Sequence, residues 1–216
     1  CGEIVAAARR NGLKVGFYYT FYEWYNPYYT GKGKPEDYKG CTPLKDADGD
    51  GKADEYVDDY MIPQLKELID QYHPDCLYFD GEWEHGYVWW RAREVIAYYY
   101  NQAAARGQEV AVNDRFGQTK EGCSDTRGVY GDLKHVEYFA NVDKSEPWAM
   151  WRGFGNSYGY NSNENPANIL SRENAVKMIV NCAAAGGNTE FNVGPKADGT
   201  LAEWDTDRLE GMGEWM

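Results

Sequence analysis

Short apolar runs rich in aromatic and β-branched residues alternate along this chain with segments of helical period, and that alternation restricts the fold more than any other feature. In order, the pattern predicts a helix ending near Gly12, a strand over 13–20, a helix over 60–72, a strand over 76–80, a helix over 88–102 and a short strand over 110–113. A less distinct strand near 149–154 follows, then a helix from an N-cap at Ser171 to about 185, a strand over 188–193 and a last helix from about 201. Strands separated by helices imply a parallel sheet. Each strand leaves through polar or aromatic residues at its carboxyl end, at 19–24, 80–83, 113–115, 156–161 and 192–196. Chemistry spread over many strand ends is the habit of (β/α)8 barrels, whereas doubly wound sheets gather it at one switch point behind a Gly-rich loop, and no GxGxxG or P-loop follows any strand here. The expected architecture is therefore α/β, a single domain over 1–216 in the form of a TIM-like (β/α)8 barrel. With five countable strands that barrel is incomplete. The chain opens in the last turns of a helix without an initiator Met and stops within a helical period, so a partial chain is expected.

Among the strand ends, Cys76-Leu-Tyr-Phe-Asp80-Gly-Glu-Trp83 stands out, because a buried run stops on a carboxylate and glycine then allows a sharp exit. Asp80 suits a nucleophile, a general base or a ligand contact; the plainer alternatives are a helix cap or a loop carboxylate paired to Arg. Glu82 and Glu84 lie close by in sequence. Retaining glycoside hydrolysis needs two carboxyl groups roughly 5 to 5.5 Å apart, and the second can come from any other strand end. Glu137, Glu146, Glu164 and Glu190 all qualify by position. Glu137 sits among aromatic residues in Lys134-His-Val-Glu-Tyr-Phe139, a setting that raises a carboxyl pKa towards that of a general acid. Arg115, at a strand exit, suits either an ion pair or a sugar hydroxyl. His73, His85 and His135 stand singly, His73 reading as structural before Pro74, and no GxSxG elbow supports acyl transfer.

Charge and composition narrow the ligand. A net charge of -13 leaves no basic face for nucleic acid or an anionic membrane. No apolar run is long enough to span a bilayer. With 19 Tyr and 8 Trp, aromatic rings exceed what a core requires, and such rings supply flat platforms for sugars. Five scattered cysteines form no CxxC pair, so neither a zinc site nor a dense disulfide framework is expected. Asp46, Asp48, Asp50 and Asp54 occupy positions 1, 3, 5 and 9 of a calcium loop with Gly51 at position 6, although Val57 replaces the usual Glu at 12. The expectation there is a structural calcium site, with a solvated acidic turn as the alternative.

Several blocks together resemble the retaining α-L-fucosidases of glycoside hydrolase family 29. They are Gly12-Leu-Lys-Val-Gly-Phe-Tyr-Tyr19, Tyr72-His-Pro-Asp-Cys-Leu-Tyr-Phe-Asp80, Val112-Asn-Asp-Arg115-Phe-Gly117, Gly155-Asn-Ser-Tyr-Gly-Tyr160-Asn161 and Gly187-Asn-Thr-Glu-Phe-Asn-Val-Gly194-Pro-Lys-Ala-Asp-Gly199-Thr, the last similar to the family's GGNLLLNVGPKxDGT. The resemblance implies that Asp80 is the nucleophile and that Tyr78, Arg115 and the aromatic residues Tyr19, Trp83 and Trp148 bind substrate. It also implies that Glu137, in Asp132-Leu-Lys-His-Val-Glu137-Tyr, is the acid/base, with Glu146 as the alternative. The implied partner is a fucosylated oligosaccharide or glycoconjugate, with no required cofactor and a secreted or periplasmic setting. Two departures are visible. Ala149 follows Trp148 where the family carries Glu, and the family's early barrel strands and C-terminal β-sandwich have no counterpart in the chain.

Overall fold

A computed structural model describes residues 1–21, 23, 29, 56–117, 131–138 and 145–216. It is an α/β structure of two compact units, Cys1–Asp132 and Leu133–Met216, each built on a three-stranded parallel sheet.

In the first unit the strands are β1 (Gly16–Thr20), β2 (Cys76–Asp80) and β3 (Ala111–Val112), in the order β1-β2-β3. Gly16 pairs with Cys76 and Thr20 with Asp80, so β1 and β2 end level. Helix α1 (Gly2–Arg10) carries Glu3 in its first turn and Arg9 and Arg10 in its last, charges that complement the helix dipole. The Arg9 guanidinium also donates to the carbonyls of Tyr72 and His73, at 2.5 and 2.7 Å. A wide helical turn, Tyr56–Met61, runs into α2 (Ile62–Tyr72), which tolerates Pro63 in its first turn and buries Ile62, Leu65 and Ile69. Helix α3 (Ala92–Ala105) buries Ala92, Val95, Tyr99 and Ala103 at helical spacing. Both helices cover one sheet face, and Leu77, Phe79 and Val112 meet them in a continuous core. The Asn113 side chain extends the short β2–β3 pairing, accepting from the Phe79 N–H and donating to the Phe79 carbonyl, each at 2.8 Å.

The second unit contains β4 (Lys134–Glu137), β5 (Trp148–Gly153) and β6 (Gly187–Asn192) in the order β4-β5-β6. Helix α4 (Arg172–Ala184) starts at Ser171, whose side chain accepts the Asn174 N–H at 3.2 Å. It packs Met178 and Cys182 against Val136, Trp148 and Met150. Helix α5 (Glu203–Trp215) adds Met212, which packs with Phe154 and Ala175. Gly187 has to be glycine, because a Cβ there would lie 2.1 Å from the Trp148 ring.

The predicted alternation describes these elements closely, with informative exceptions. Strand β4 was not anticipated: four residues with one buried apolar side chain, Val136, leave no period to read. Helix α3 starts at Ala92 rather than near 88, because residues 87–91 form a turn that ends with Arg91 in a left-handed conformation. The acidic loop with Asp46, Asp48, Asp50 and Asp54 lies outside the described residues.

Candidate active site

Parallel pairing in register puts Tyr18 beside Tyr78 and Thr20 beside Asp80, on the sheet face opposite the helices. The rings of Tyr18 and Tyr78 stack with centroids 6.2 Å apart, and the Tyr18 hydroxyl donates to Asp80 Oδ2 at 2.7 Å. Arg115, beyond β3, donates through Nη1 to Asp80 Oδ1. Each carboxylate oxygen thus receives its own donor, which fixes the plane of the group while leaving about a quarter of the side chain open to solvent. The Arg115 guanidinium also lies over the Trp83 ring, 5.9 Å from its centroid. Gly81 makes this geometry reachable: at φ 78 it takes the left-handed conformation and turns the chain sharply away after the carboxylate.

Glu82 follows in a single helical turn and is completely buried. Burial pushes its carboxyl up to about 7, against the pull of Arg115, with the charges of Asp80 and Asp114 adding to the rise. Among the described residues neither carboxyl oxygen has a hydrogen-bond partner. His85 is buried as well, its ring stacked on Trp89 at 3.6 Å, and burial lowers it to about 3, so it stays neutral.

Of the residues singled out in the sequence, Asp80, Tyr78, Trp83 and Arg115 come together in this unit. Tyr19 does not join them. Its side chain points to the helix face, where it packs edge-on to Phe79 and its hydroxyl donates to Gln64 Oε1 at 2.8 Å. The ring that addresses the carboxylate is Tyr18, one residue earlier. Nothing in the apolar run 15–20 distinguishes the two, because both faces of this strand carry aromatic rings. Trp148 is also displaced from the expected role: it begins β5 at the strand's amino end and is buried against α4. A ring at that end stabilises the core and cannot reach a site at the carboxyl ends.

Glu137 belongs to the second unit, as the last residue of β4. Its carboxyl Oε1 lies 2.9 Å from His135 Nε2, and its side chain is 43% exposed. The rivals separate by environment. Glu146 forms a surface ion pair with Lys134, at 3.1 Å. Glu164 braces a loop, accepting the backbone N–H of Asn156 and Ser157, both at 3.2 Å. Glu190 pairs in register with Trp151, which in turn pairs with Glu137, so Glu137, Trp151 and Glu190 form one row across the sheet. Among the described residues no cluster of His, Cys, Asp or Glu is arranged to hold a metal ion, and no helix is long and apolar enough to cross a membrane.

Parallel strands whose carboxyl ends carry a braced aspartate, an arginine and aromatic rings define an α/β protein with its candidate chemistry on one edge of the sheet. The α-L-fucosidase family model matches residues 1–216, and the chain belongs to that family. It is 29% identical to the tissue α-L-fucosidase of Rattus norvegicus over 216 residues, covering all of this chain and 43% of that protein. Among solved structures it is similar to a Thermotoga maritima α-fucosidase in complex with a mechanism-based inhibitor (33% identity, TM-score 0.72) and to the same enzyme in complex with fucose (32%, 0.70). Each of those matches covers 99% of this chain and 44% of the other. The chain thus spans less than half the length of these relatives.

Proposed function

We propose that the protein carrying this chain is a retaining α-L-fucosidase acting on terminal α-L-fucosyl groups of oligosaccharides or glycoconjugates. The observation that carries this reading is the Asp80 carboxylate at the end of β2, held by Tyr18 on one oxygen and Arg115 on the other. Membership of the fucosidase family and the similarity to a fucose-bound enzyme support the choice of sugar. On this reading the α/β fold is that of a TIM-like (β/α)8 catalytic barrel, whose chemistry lies at the carboxyl ends of its strands.

In the first step an Asp80 oxygen attacks the anomeric carbon. The glycosidic C–O bond breaks, and the leaving oxygen takes the proton of the Glu137 carboxyl. In the second step Glu137 removes a proton from water, whose oxygen attacks the same carbon and displaces Asp80, releasing fucose with its configuration retained. Tyr18 and Arg115 orient the attacking carboxylate, while Tyr78 and Trp83 offer flat apolar surfaces to the sugar.

Kinetics on aryl α-L-fucosides test the assignment in the full-length protein. Asp80→Ala is expected to lower kcat/KM by at least about a thousandfold. Glu137→Gln is expected to cost more with poor leaving groups than with activated ones. Unchanged hydrolysis in Asp80→Ala would remove the nucleophile from the scheme.

A further inference from the structure

The row Glu137–Trp151–Glu190 holds a second carboxyl that the two-step mechanism does not use. Val136, Met150 and Thr189 form the neighbouring row, and Val136 and Met150 pack towards α4. Side chains alternate along a strand, so Glu137, Trp151 and Glu190 face the opposite side together with His135. The two glutamates flank the indole in different surroundings. Glu137 is exposed and paired with an imidazole. Glu190 is only partly accessible and lies in the second half of β6 against Trp151.

We propose that Glu190 is a substrate-binding residue whose carboxyl hydrogen-bonds a hydroxyl of the bound glycoside, while the Trp151 indole beside it in the row supports the sugar's apolar face. This inference rests on the fucosidase reading and deepens it by adding a subsite. The register row that sets Glu190 and Trp151 on the same face as Glu137 carries it, and three physical points support it. A neutral carboxyl is both donor and acceptor, whereas a carboxylate only accepts, so protonation changes what the group can recognise. Burial pushes Glu190 up to about 7, partly offset by the Trp151 indole. His135 and Glu137 are the other titratable groups on this face, two strands away, and among the described residues burial and Trp151 are the influences acting on Glu190. Finally, a carboxyl in a half-buried sheet position costs stability that an apolar side chain would not, so packing alone does not account for it.

The test compares kcat/KM on an aryl α-L-fucoside against pH for the full-length protein, Glu190→Gln and Glu190→Leu. Gln keeps an N–H donor at every pH. It is therefore expected to stay within about threefold of the parent below about pH 7 and to decline less than the parent above that value, the loss of the Glu137 proton remaining in both. Leu fills the space without a donor and is expected to lower kcat/KM about tenfold or more while thermal stability holds or rises. Leu turning over like the parent overturns the inference, as does Gln declining above about pH 7 as steeply as the parent, or Gln falling as far as Leu. Those results leave the fucosidase reading standing. A parent with no activity on any aryl α-L-fucoside sinks that reading and this inference with it.

Discussion

Two adjacent tyrosines show how finely parity divides labour on a strand. Tyr18 and Tyr19 differ by one position, yet one donates to the Asp80 carboxylate and the other to Gln64 on the helix side. Tyr18→Phe removes one of the two donors that hold the Asp80 carboxylate, and on the proposed mechanism it is expected to lower kcat/KM by about tenfold with little change in stability. Tyr19→Phe is expected to do the reverse, costing about 1 kcal/mol in denaturant unfolding and leaving kcat/KM unchanged, because it breaks a part-buried hydrogen bond far from the carboxylate. Parallel measurement of kinetics and unfolding in the two variants checks the face assignment, and equal kinetic losses would contradict it.

At the level of elements, the β2–β3 edge depends on a side chain acting as backbone. The ladder between these strands is short, pairing Cys76 with Ala111 and Leu77 with Val112, and the buried Asn113 amide then satisfies both polar groups of Phe79. Asn113→Leu leaves that N–H and carbonyl without partners in a dry interior. The expected cost is about 2–4 kcal/mol, read from the denaturant midpoint. Since Phe79 immediately precedes Asp80, activity is expected to fall as well. A stability loss below about 0.5 kcal/mol would mean that the bracket is dispensable.

For the molecule as a whole, buried carboxyls set the pH dependence of stability. Burial raises the Glu82 carboxyl from its ordinary value of 4.5, which it has in the unfolded chain, to about 7 in the fold. Its raised folded value means that the stability contribution is fully present below about pH 4.5 and lost as pH rises through about 7. The loss is on the order of 3 kcal/mol. Glu82→Gln removes this dependence, so the variant is expected to gain on the parent as pH rises from about 4.5 to about 7. Denaturant unfolding at the two pH values measures the difference, and an identical pH dependence in parent and variant would show that Glu82 is ionised in the fold.

Much of this protein is legible from residue order. Apolar periods placed α2, β2, α4 and α5 closely, and Ser171 marked the start of α4, because local propensity and capping act over a few residues. Asp80 and Arg115 could be picked out as strand-end groups for the same reason. Strand β4 was hidden, since a four-residue strand acquires its identity only from β5 beside it. The face of each aromatic ring was hidden too. A sheet lined with rings on both sides carries no alternating signal, so only register shows that Tyr18 meets Asp80, that Tyr19 and Trp148 belong to the core, and that Glu190 shares a face with Glu137. Contacts across strands join residues dozens of positions apart, and pairing of the folded backbone, which no local pattern encodes, decides which side chains meet.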